Sequence, residues 1–260
     1  MANKPQDWRG ASVVTDVSSP CGTCRYANSL LTKGSCDPVD RCVNVELGRR
    51  IDGFFRSNPR EAESFLHDGF WERRAIAVRY APPNAIAALV HDPDEVVRRV
   101  VASRLPPDKA ALLSRDSDRE VRITVAHRVE GDDLLKLISD PDYMVRVVVA
   151  GRLPHGRLPK LANDPEREVR KTVARRLPAF ALQRMMDDAE PEVRRIVAER
   201  ALPADAATML TDENWMVRLA AVSRAPAESI RCCLDDPEPD VRRAVWNRIE
   251  HGDLIPENPA

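Results

Sequence analysis

Apolar side chains recur along most of the chain at the spacing of one helix face. Val97, Val101 and Leu105 follow one another at four-residue intervals, which places them on one stripe. The same stripe returns at Val145, Val149 and Leu153 and at Val169, Val173 and Leu177. No segment shows the two-residue alternation that is typical of a half-buried strand. The pattern therefore predicts an all-α chain built from short amphipathic helices.

The pattern repeats every 24 residues. A first arginine series occupies positions 74, 98, 122, 146, 170, 194, 218 and 242. An aspartate lies six residues before each of these arginines, at 68, 92, 116, 140, 164, 188, 212 and 236. A second arginine series lies six residues after the first, at 104, 128, 152, 176, 200, 224 and 248, with Tyr80 in the first copy. Fixed spacing of this kind indicates a repeat protein in which each copy is one structural unit.

Each copy has the start and stop signals of one helix. Asp92 is followed by Pro93, and we expect the aspartate to be the N-cap and the proline to be the first helical residue. Pro106 stops the helix of the same copy, because proline cannot continue it. About 12 residues separate each helix from the next aspartate, and they contain a second apolar cluster such as Ile86 and Leu89. This segment has room for one or two helical turns.

The motif Asp-Pro-x-x-Val-Arg-x-x-Val-Ala-x-Arg-Leu-Pro, at a period of 24, resembles that of the leucine-rich repeat variant family. The resemblance implies an all-α, right-handed superhelical solenoid in which an α-helix alternates with a short 3₁₀ helix. HEAT and armadillo units, at about 40 residues, are too long, and ordinary leucine-rich repeats require a strand. We predict a cysteine-rich cluster domain with a capping helix at 1–57, eight repeats at 58–249 and a C-terminal tail at 250–260.

The recurring aspartates and arginines allow two interpretations. A row of exposed arginines would bind phosphate or carboxylate ligands. Alternatively, each aspartate caps its own helix, while an arginine in the last turn complements the helix C-terminus and pairs with an acid of an adjacent repeat. The register favours the structural role, because Arg104 returns close to the apolar stripe. We therefore expect both Asp164→Ala and Arg176→Ala to lower thermal stability.

Four of the six cysteines precede the repeats, as Cys21-Gly-Thr-Cys24, Cys36 and Cys42. Two residues between the first pair let both sulfurs reach one metal, and four thiols this close together suggest tetrathiolate coordination. Disulfides are the alternative, but an intracellular protein keeps its thiols reduced. On chemistry alone, structural Zn²⁺ is the common occupant, and the cysteine run of bacterial ferredoxins is absent.

A cysteine-rich segment in front of such repeats is similar to the iron–sulfur domain of the same family. That resemblance implies a [4Fe–4S] cluster, with one structural Zn²⁺ as the alternative, and it implies Cys21, Cys24, Cys36 and Cys42 as the ligands. Positive side chains near these cysteines would offset the negative charge of the cluster. They are Arg25, Lys33, Arg41, Arg49 and Arg50.

A further apolar stripe follows the last of these cysteines. It consists of Val43, Leu47, Ile51, Phe54 and Phe55. The spacing predicts a helix that packs on the first repeat and covers the end of the solenoid. Cys232 and Cys233 are unrelated to the metal site, and Cys233 falls in the register of the repeat leucines, so we expect it in the core.

The charges are balanced, with 40 Lys and Arg against 41 Asp and Glu and a net charge of −1. That balance gives no bulk attraction to nucleic acid or to anionic membranes. No apolar run approaches the roughly 18 residues that span a bilayer. The first residues also lack the apolar region of a secretion signal. We therefore expect a soluble, cytoplasmic protein that does not bind membranes.

No set of catalytic residues emerges. The five histidines form no metal-binding motif, and neither a P-loop nor a serine nucleophile motif occurs. We therefore expect a non-enzymatic scaffold that binds an unidentified protein partner, with redox sensing at the cluster. The alternatives are an electron-transfer iron–sulfur protein and, with weaker support, a nucleic-acid-binding protein. Trp215, Tyr143 and Arg119 share one repeat position, where they are candidates for partner contacts or for partly buried packing.

Overall fold

The structure is a computed structural model that describes residues 21–250 of the 260-residue chain. The chain divides into two compact units, residues 1–128 and 129–260. Across residues 21–250 the secondary structure is helical and contains no strand; one isolated bridge pairs Asp37 with Arg41. The predicted all-α class is confirmed. No helix in this part of the chain is long and apolar enough to cross a membrane.

The first unit contains ten-residue α-helices separated by shorter helical segments. Its α-helices are Gly48–Ser57, Trp71–Tyr80, Pro83–Ile86, Glu95–Arg104, Pro107–Ala110 and Arg119–Arg128. A π-helical turn spans Ala27–Leu31, and 3₁₀ helices span Pro59–Phe65, Ala87–His91 and Ala111–Leu113.

The second unit continues the same alternation. Its α-helices are Gly131–Leu135, Tyr143–Arg152, Arg167–Arg176, Pro191–Arg200, Pro203–Thr208, Trp215–Arg224, Ala227–Ile230 and Pro239–Glu250. Its 3₁₀ helices are His155–Leu161, Ala179–Met185, Met209–Thr211 and Arg231–Cys233.

The predicted apolar stripe forms the core of each repeat. In the helix Glu95–Arg104, Val97, Val101 and Ala102 are fully buried, and so is Leu105 just beyond it. The same four positions are buried in the helix Arg167–Arg176 of the second unit. Side chains from the 3₁₀ segments complete the core, since each segment buries at least one apolar residue, such as Leu89, Leu113 and Leu182. The alternation of α-helix and 3₁₀ helix implied by the family resemblance is therefore present.

The repeat aspartates are not N-caps, contrary to the prediction. The helix Glu95–Arg104 begins after Asp94, whose side chain accepts hydrogen bonds from the Val96 and Val97 N–H groups. Asp92 lies two residues earlier and accepts from the backbone N–H of Asp94 at 2.9 Å. This Asx turn leaves the rest of its carboxylate to a partner from outside the helix.

That partner is an arginine of the first series in the preceding repeat. Arg98 donates from Nε and Nη2 to the two carboxylate oxygens of Asp116, at 2.7 and 2.8 Å. Its Nη1 donates to the backbone carbonyls of Asp92 and Pro93. The arrangement recurs in the second unit, where the pairs are Arg146–Asp164, Arg170–Asp188, Arg194–Asp212 and Arg218–Asp236. Each arginine therefore joins the loop of its own repeat to the loop of the next.

The second arginine series binds backbone carbonyls, and Arg152 also lies 3.7 Å from the Glu130 carboxylate. Nη1 of Arg176 donates to the Ala150 and Leu153 oxygens at 2.7 and 2.8 Å, at the C-terminal end of the preceding repeat helix. A cation at this end satisfies carbonyls that have no partner within the helix. The predicted helix-end role is therefore found. The predicted pairing with an acid of an adjacent repeat is found mainly in the first series.

We expect Arg176→Ala to lower the free energy of unfolding by about 1.5–3 kcal/mol, the usual range for hydrogen bonds that involve a charged group. The reason is the loss of the donor shared by Ala150 and Leu153. Urea denaturation monitored by circular dichroism measures the change. Arg175→Ala is the matched control, because Arg175 is exposed on the same helix. If the two variants lose the same free energy of unfolding, the second arginine series does not have this structural role.

Two of the repeat aspartates in the second unit, Asp212 and Asp236, have a lowered pKa. Burial by itself raises the pKa of Asp212, but hydrogen bonds from Arg194 and the Asn214 N–H, together with nearby arginine charges, lower it overall. The hydrogen bond from Arg218, opposed by burial, likewise lowers the pKa of Asp236. The unfolded-state pKa is about 3.9. Each carboxylate therefore contributes its full stability above that pH and loses it as the pH falls through the lower folded-state pKa.

We therefore expect the melting temperature to fall below about pH 4, while these carboxylates cause no change above about pH 5. Thermal denaturation across this range measures it. Asp212→Asn should melt at a lower temperature at neutral pH and should lose less further stability on acidification. The same acid dependence in the variant and the wild-type protein would show that this pair does not contribute.

The helix Gly48–Ser57 begins later than predicted. Ile51, Phe54 and Phe55 form its buried face, as expected. Val43 is buried in the preceding loop, however, and Leu47 is the half-exposed N-cap residue. The Phe55 ring packs against the ring of Tyr80, with centroids 6.2 Å apart. This helix therefore packs on the first repeat, as predicted.

Candidate metal centre

Two short loops present the four predicted ligand cysteines. Cys21 and Cys24 belong to a turn in which the Cys24 N–H donates to the Cys21 carbonyl at 3.2 Å. Cys36 and Cys42 flank the bridge between Asp37 and Arg41. Residues on either side of such a bridged pair face one another across the two chain segments. The bridge therefore brings Cys36 opposite Cys42, although six positions separate them in the sequence.

The loop that joins these two cysteines is fixed by its own hydrogen bonds. Asp37 accepts from the Val39 and Asp40 N–H groups and from Arg41 Nε, the last at 2.9 Å. Burial raises the pKa of Asp37, but these bonds outweigh burial and lower the pKa overall. The ionised carboxylate thus closes the loop, which holds Cys36 and Cys42 in place.

All four cysteines line one cavity, and no disulfide joins them. The cavity volume is about 20 Å³, or about 320 Å³ when the open solvent at its mouth is included. Tyr26, Val43 and Phe54 line the same cavity and are buried. The cavity is therefore apolar apart from the sulfurs, Asp37, Arg41 and Asn44. The structure thus brings together the four residues that the sequence singled out.

Electrostatics within the cavity indicate that the thiols interact. Burial, followed by the charges of Cys24, Cys21 and Cys42, raises the pKa of Cys36 to about 11. Four thiolates in this space therefore repel one another unless a cation lies among them. A metal centre supplies that positive charge, and metal ligation requires the thiolate form. The donor set is consistent with an iron–sulfur cluster or with zinc.

In residues 21–250, no group of three or more Cys, His, Asp or Glu side chains is arranged to hold a single metal ion.

One of the five predicted positive side chains, Arg41, lines the cavity. Arg25 has another role, because its guanidinium lies 4.6 Å from the Tyr26 ring centre and 4.5 Å from that of Phe65. Arg50 donates to the Pro38 carbonyl at 3.3 Å. The contacts at the cavity wall are therefore mostly neutral, apart from those of Asp37 and Arg41.

Those contacts include a hydrogen bond that no sequence pattern predicted. The Asn44 side-chain amide donates to Cys24 Sγ at 3.2 Å. Hydrogen bonds to ligand sulfurs orient the ligands and stabilise their negative charge. Asn44 lies two positions after Cys42, and no sequence signal marks it as different from any other loop asparagine.

A network of hydrogen bonds joins the cavity to the first repeat. The Tyr26 hydroxyl donates to Glu61 at 2.8 Å, and Arg25 donates to Ser64 at 2.9 Å. Burial and the Glu61 hydrogen bond raise the pKa of Tyr26 to about 12, against a smaller opposing effect of Arg25. Asn58 donates to the Ser35 carbonyl at 2.8 Å, directly before Cys36. The cysteine loops are therefore anchored on the first repeat.

A solved structure described as a leucine-rich repeat variant with a novel repetitive structural motif matches this architecture. It is 52% identical, the match covers 88% of this chain and 98% of that one, and the TM-score is 0.85. The chain belongs to the leucine-rich repeat variant family. Its fold is accordingly a solenoid of helical repeats, as the sequence motif implied.

Family models match both parts of this leucine-rich repeat variant protein. The model described as the LRV protein FeS4 cluster matches residues 5–64, and the leucine rich repeat variant model matches residues 167–190. The N-terminal part is therefore an iron–sulfur-type domain of this family. Its match contains the four cysteines that line the cavity.

A curated relative is an uncharacterized 27.7 kDa protein in the nifB 3′ region of Rhodobacter capsulatus. It is 37% identical over 94 residues. The match spans 36% of this chain and 36% of that protein, so a little over a third of each is shared.

Proposed function

We propose that this protein is a non-enzymatic scaffold whose repeats bind a protein partner and whose N-terminal cysteines hold a redox-sensing [4Fe–4S] cluster. The observation that supports the proposal is the cavity that all four N-terminal cysteines line, within the segment that matches the FeS4 cluster model. The proposed ligands are Cys21, Cys24, Cys36 and Cys42. We also keep the cytoplasmic location as a prediction.

A bound cluster supplies one-electron redox chemistry. The side chains around the cavity prepare the site for it in distinct ways. Tyr26 and Phe54 exclude water from the inner wall, with their ring centres 5.1 Å apart. The Asn44 amide donates to Cys24, and Arg41 places a positive charge at the cavity through its bond to Asp37. The four sulfurs are half-buried, so solvent or a redox partner can approach from the open side.

Metal and sulfide content of protein purified without oxygen tests the metal identity. About four iron and four sulfide per chain, with broad absorption near 400 nm, is the expected result for a cubane cluster. One zinc per chain and a colourless solution would support the structural zinc alternative and remove redox sensing. A cluster whose spectrum responds to neither dithionite nor oxygen would retain the metal assignment and exclude both sensing and electron transfer.

The partner surface is proposed from exposed apolar residues at the starts of repeat helices. In the second unit these are Tyr143 and Met144, and Trp215 and Met216, each 37–40% exposed. Aromatic and methionine side chains are enriched at protein interfaces. Affinity purification with the metal-loaded protein, with Trp215→Ala and Tyr143→Ala as matched baits, tests this surface. A partner held equally by all three baits binds elsewhere, and the absence of any stable partner would count against the scaffold.

The hydrogen bonds that the first arginine series forms within the fold weaken the nucleic-acid-binding alternative. Arg98, Arg146 and Arg218 each direct Nε and both terminal nitrogens to a carboxylate or to backbone carbonyls. Their guanidinium groups are therefore committed within the fold rather than presented to phosphate. Phosphate-mediated binding is strongest at low salt. Retardation of DNA or RNA under those conditions would restore this alternative.

A further inference from the structure

Two adjacent cysteines lie outside the metal centre, in the 3₁₀ helix Arg231–Cys233 of the second unit. Cys232 is exposed and Cys233 is buried. Their Sγ atoms are 3.6 Å apart, and Cys233 Sγ also lies 3.6 Å from the Leu210 carbonyl oxygen. An atom that is bonded to the exposed Cys232 sulfur is therefore close enough to bond to the Cys233 sulfur as well.

The repeat register shows that core packing accounts for only one of the two thiols. The positions equivalent to Cys233 in the other repeats carry Phe65, Leu89, Leu113, Leu137, Leu161, Met185 and Met209, all of them buried. The positions equivalent to Cys232 carry Ser64, Ala88, Leu112, Lys136, Lys160, Arg184 and Thr208. Cys233 thus replaces a large apolar core residue. Cys232 is exposed, and it places a second thiol directly beside the first.

The distance between the sulfurs suits chelation. Two sulfurs 3.6 Å apart subtend about 103° at an atom that lies about 2.3 Å from each, the usual metal–thiolate bond length, and this is close to the tetrahedral angle. A disulfide would instead require the sulfurs to approach to about 2.05 Å, which adjacent residues in a helical backbone cannot reach without a backbone change. The helical backbone therefore favours one atom bonded to both sulfurs over a disulfide between them.

The donor set narrows the ligand class. In the part of the chain that the structure describes, no third Cys, His, Asp or Glu joins the pair to complete a metal site. A ligand that binds here takes two protein thiolates and keeps its own remaining substituent. We propose that Cys232 and Cys233 form a bidentate site for trivalent organoarsenicals, in which the arsenic atom bonds to both sulfurs and keeps its organic substituent.

The binding reaction requires no oxidant. With phenylarsine oxide, two arsenic–sulfur bonds replace the arsenic–oxygen bond, the oxygen leaves as water with both thiol protons, and arsenic stays trivalent. Capture begins at the exposed Cys232 thiol and closes on Cys233.

Phenylarsine oxide binding to the full-length protein, in the presence of excess 2-mercaptoethanol, tests the site. We expect Cys232→Ser to bind one equivalent of phenylarsine oxide fewer per chain than the wild type. The competing monothiol removes an arsenical that only one protein thiol holds. The affinity of this site for phenylarsine oxide should fall by a factor on the order of 10²–10⁴, which is the usual gain from a second, linked contact. Leu112→Ser is the matched control, since it changes the equivalent exposed position of another repeat and should keep the full number of equivalents.

All three proteins carry the same four N-terminal cysteines, so any contribution of those thiols cancels in the comparison. Circular dichroism confirms that the exposed substitutions leave the fold intact. Equal binding by the wild type and Cys232→Ser would overturn the proposal. A loss that Leu112→Ser shares would overturn it as well, because the effect would then not depend on the thiol pair.

Discussion

Arg146→Ala is expected to lower the free energy of unfolding by about 3–5 kcal/mol, the usual cost of removing one partner of a buried ion pair. Arg146 donates from Nε and Nη2 to the carboxylate oxygens of Asp164 at 2.7 and 2.9 Å. The Arg146 side chain is 11% exposed and that of Asp164 is 3% exposed. Without the arginine, a buried carboxylate loses its counter-charge and the Asp140 carbonyl loses a donor.

Urea denaturation of the variant measures this loss, and two further variants make the result specific. Arg167→Ala removes a neighbouring arginine that is 52% exposed and lies 3.8 and 3.9 Å from two glutamates, so we expect a change of about 0–1 kcal/mol. Arg146→Lys keeps the charge but cannot form two parallel bonds, and it should fall between the two alanine variants. If Arg146→Ala and Arg167→Ala unfold at the same urea concentration, the arginine–aspartate pairs do not hold the repeats together.

For the proposed [4Fe–4S] cluster, Cys36→Ser is expected to abolish cluster binding, with iron content falling from about four atoms per chain to near zero. The bridge between Asp37 and Arg41 holds Cys36 opposite Cys42, so the variant loses one of the four sulfurs that line the cavity. A serine hydroxyl does not ionise as a thiol does, and ligands must be deprotonated to bind. Iron analysis after anaerobic reconstitution, together with absorption near 400 nm, measures the change.

Cys232→Ser is the matched control for this experiment, because it removes an exposed thiol of the second unit. It should retain the iron and sulfide of the wild-type protein. The repeats of the Cys36→Ser variant should keep their helical circular dichroism, since their core residues come from the repeats themselves. Iron retention by Cys36→Ser at the level of the control would show that the four cysteines are not the ligand set.

The shifted starts of the repeat helices have a single cause. Asp92 followed by Pro93 has the local properties of an N-cap and a first helical residue. In the structure, however, the Asp92 carboxylate accepts two bonds from Arg74, 18 residues earlier, and the helix begins only after Asp94. A rule that considers four neighbouring residues cannot detect a contact made from the preceding repeat. The period of 24 was visible, but the identity of the bonded pair was not.

The metal centre shows the same division. Cysteine type and spacing indicated the four candidate ligands, because four thiolates are the donor set of both iron–sulfur clusters and Cys₄ zinc sites. The sequence did not indicate that Asn44 would donate to Cys24, or that Arg25 would lie between aromatic rings instead of facing the cavity. These outcomes depend on which side chains meet when the loops pack on the helix Gly48–Ser57.

The sequence by itself determined the repeat length, the helical class and the candidate ligands, because hydrophobic periodicity, proline positions and cysteine spacing are local properties of the chain. Tertiary structure alone decided which aspartate each arginine binds and how the two cysteine loops share one cavity. The physical reason is that a buried charge or thiol takes its partner from whichever element packs against it. That element lies 18 residues away for Arg98 and Asp116, and 20 residues away for Cys24 and Asn44.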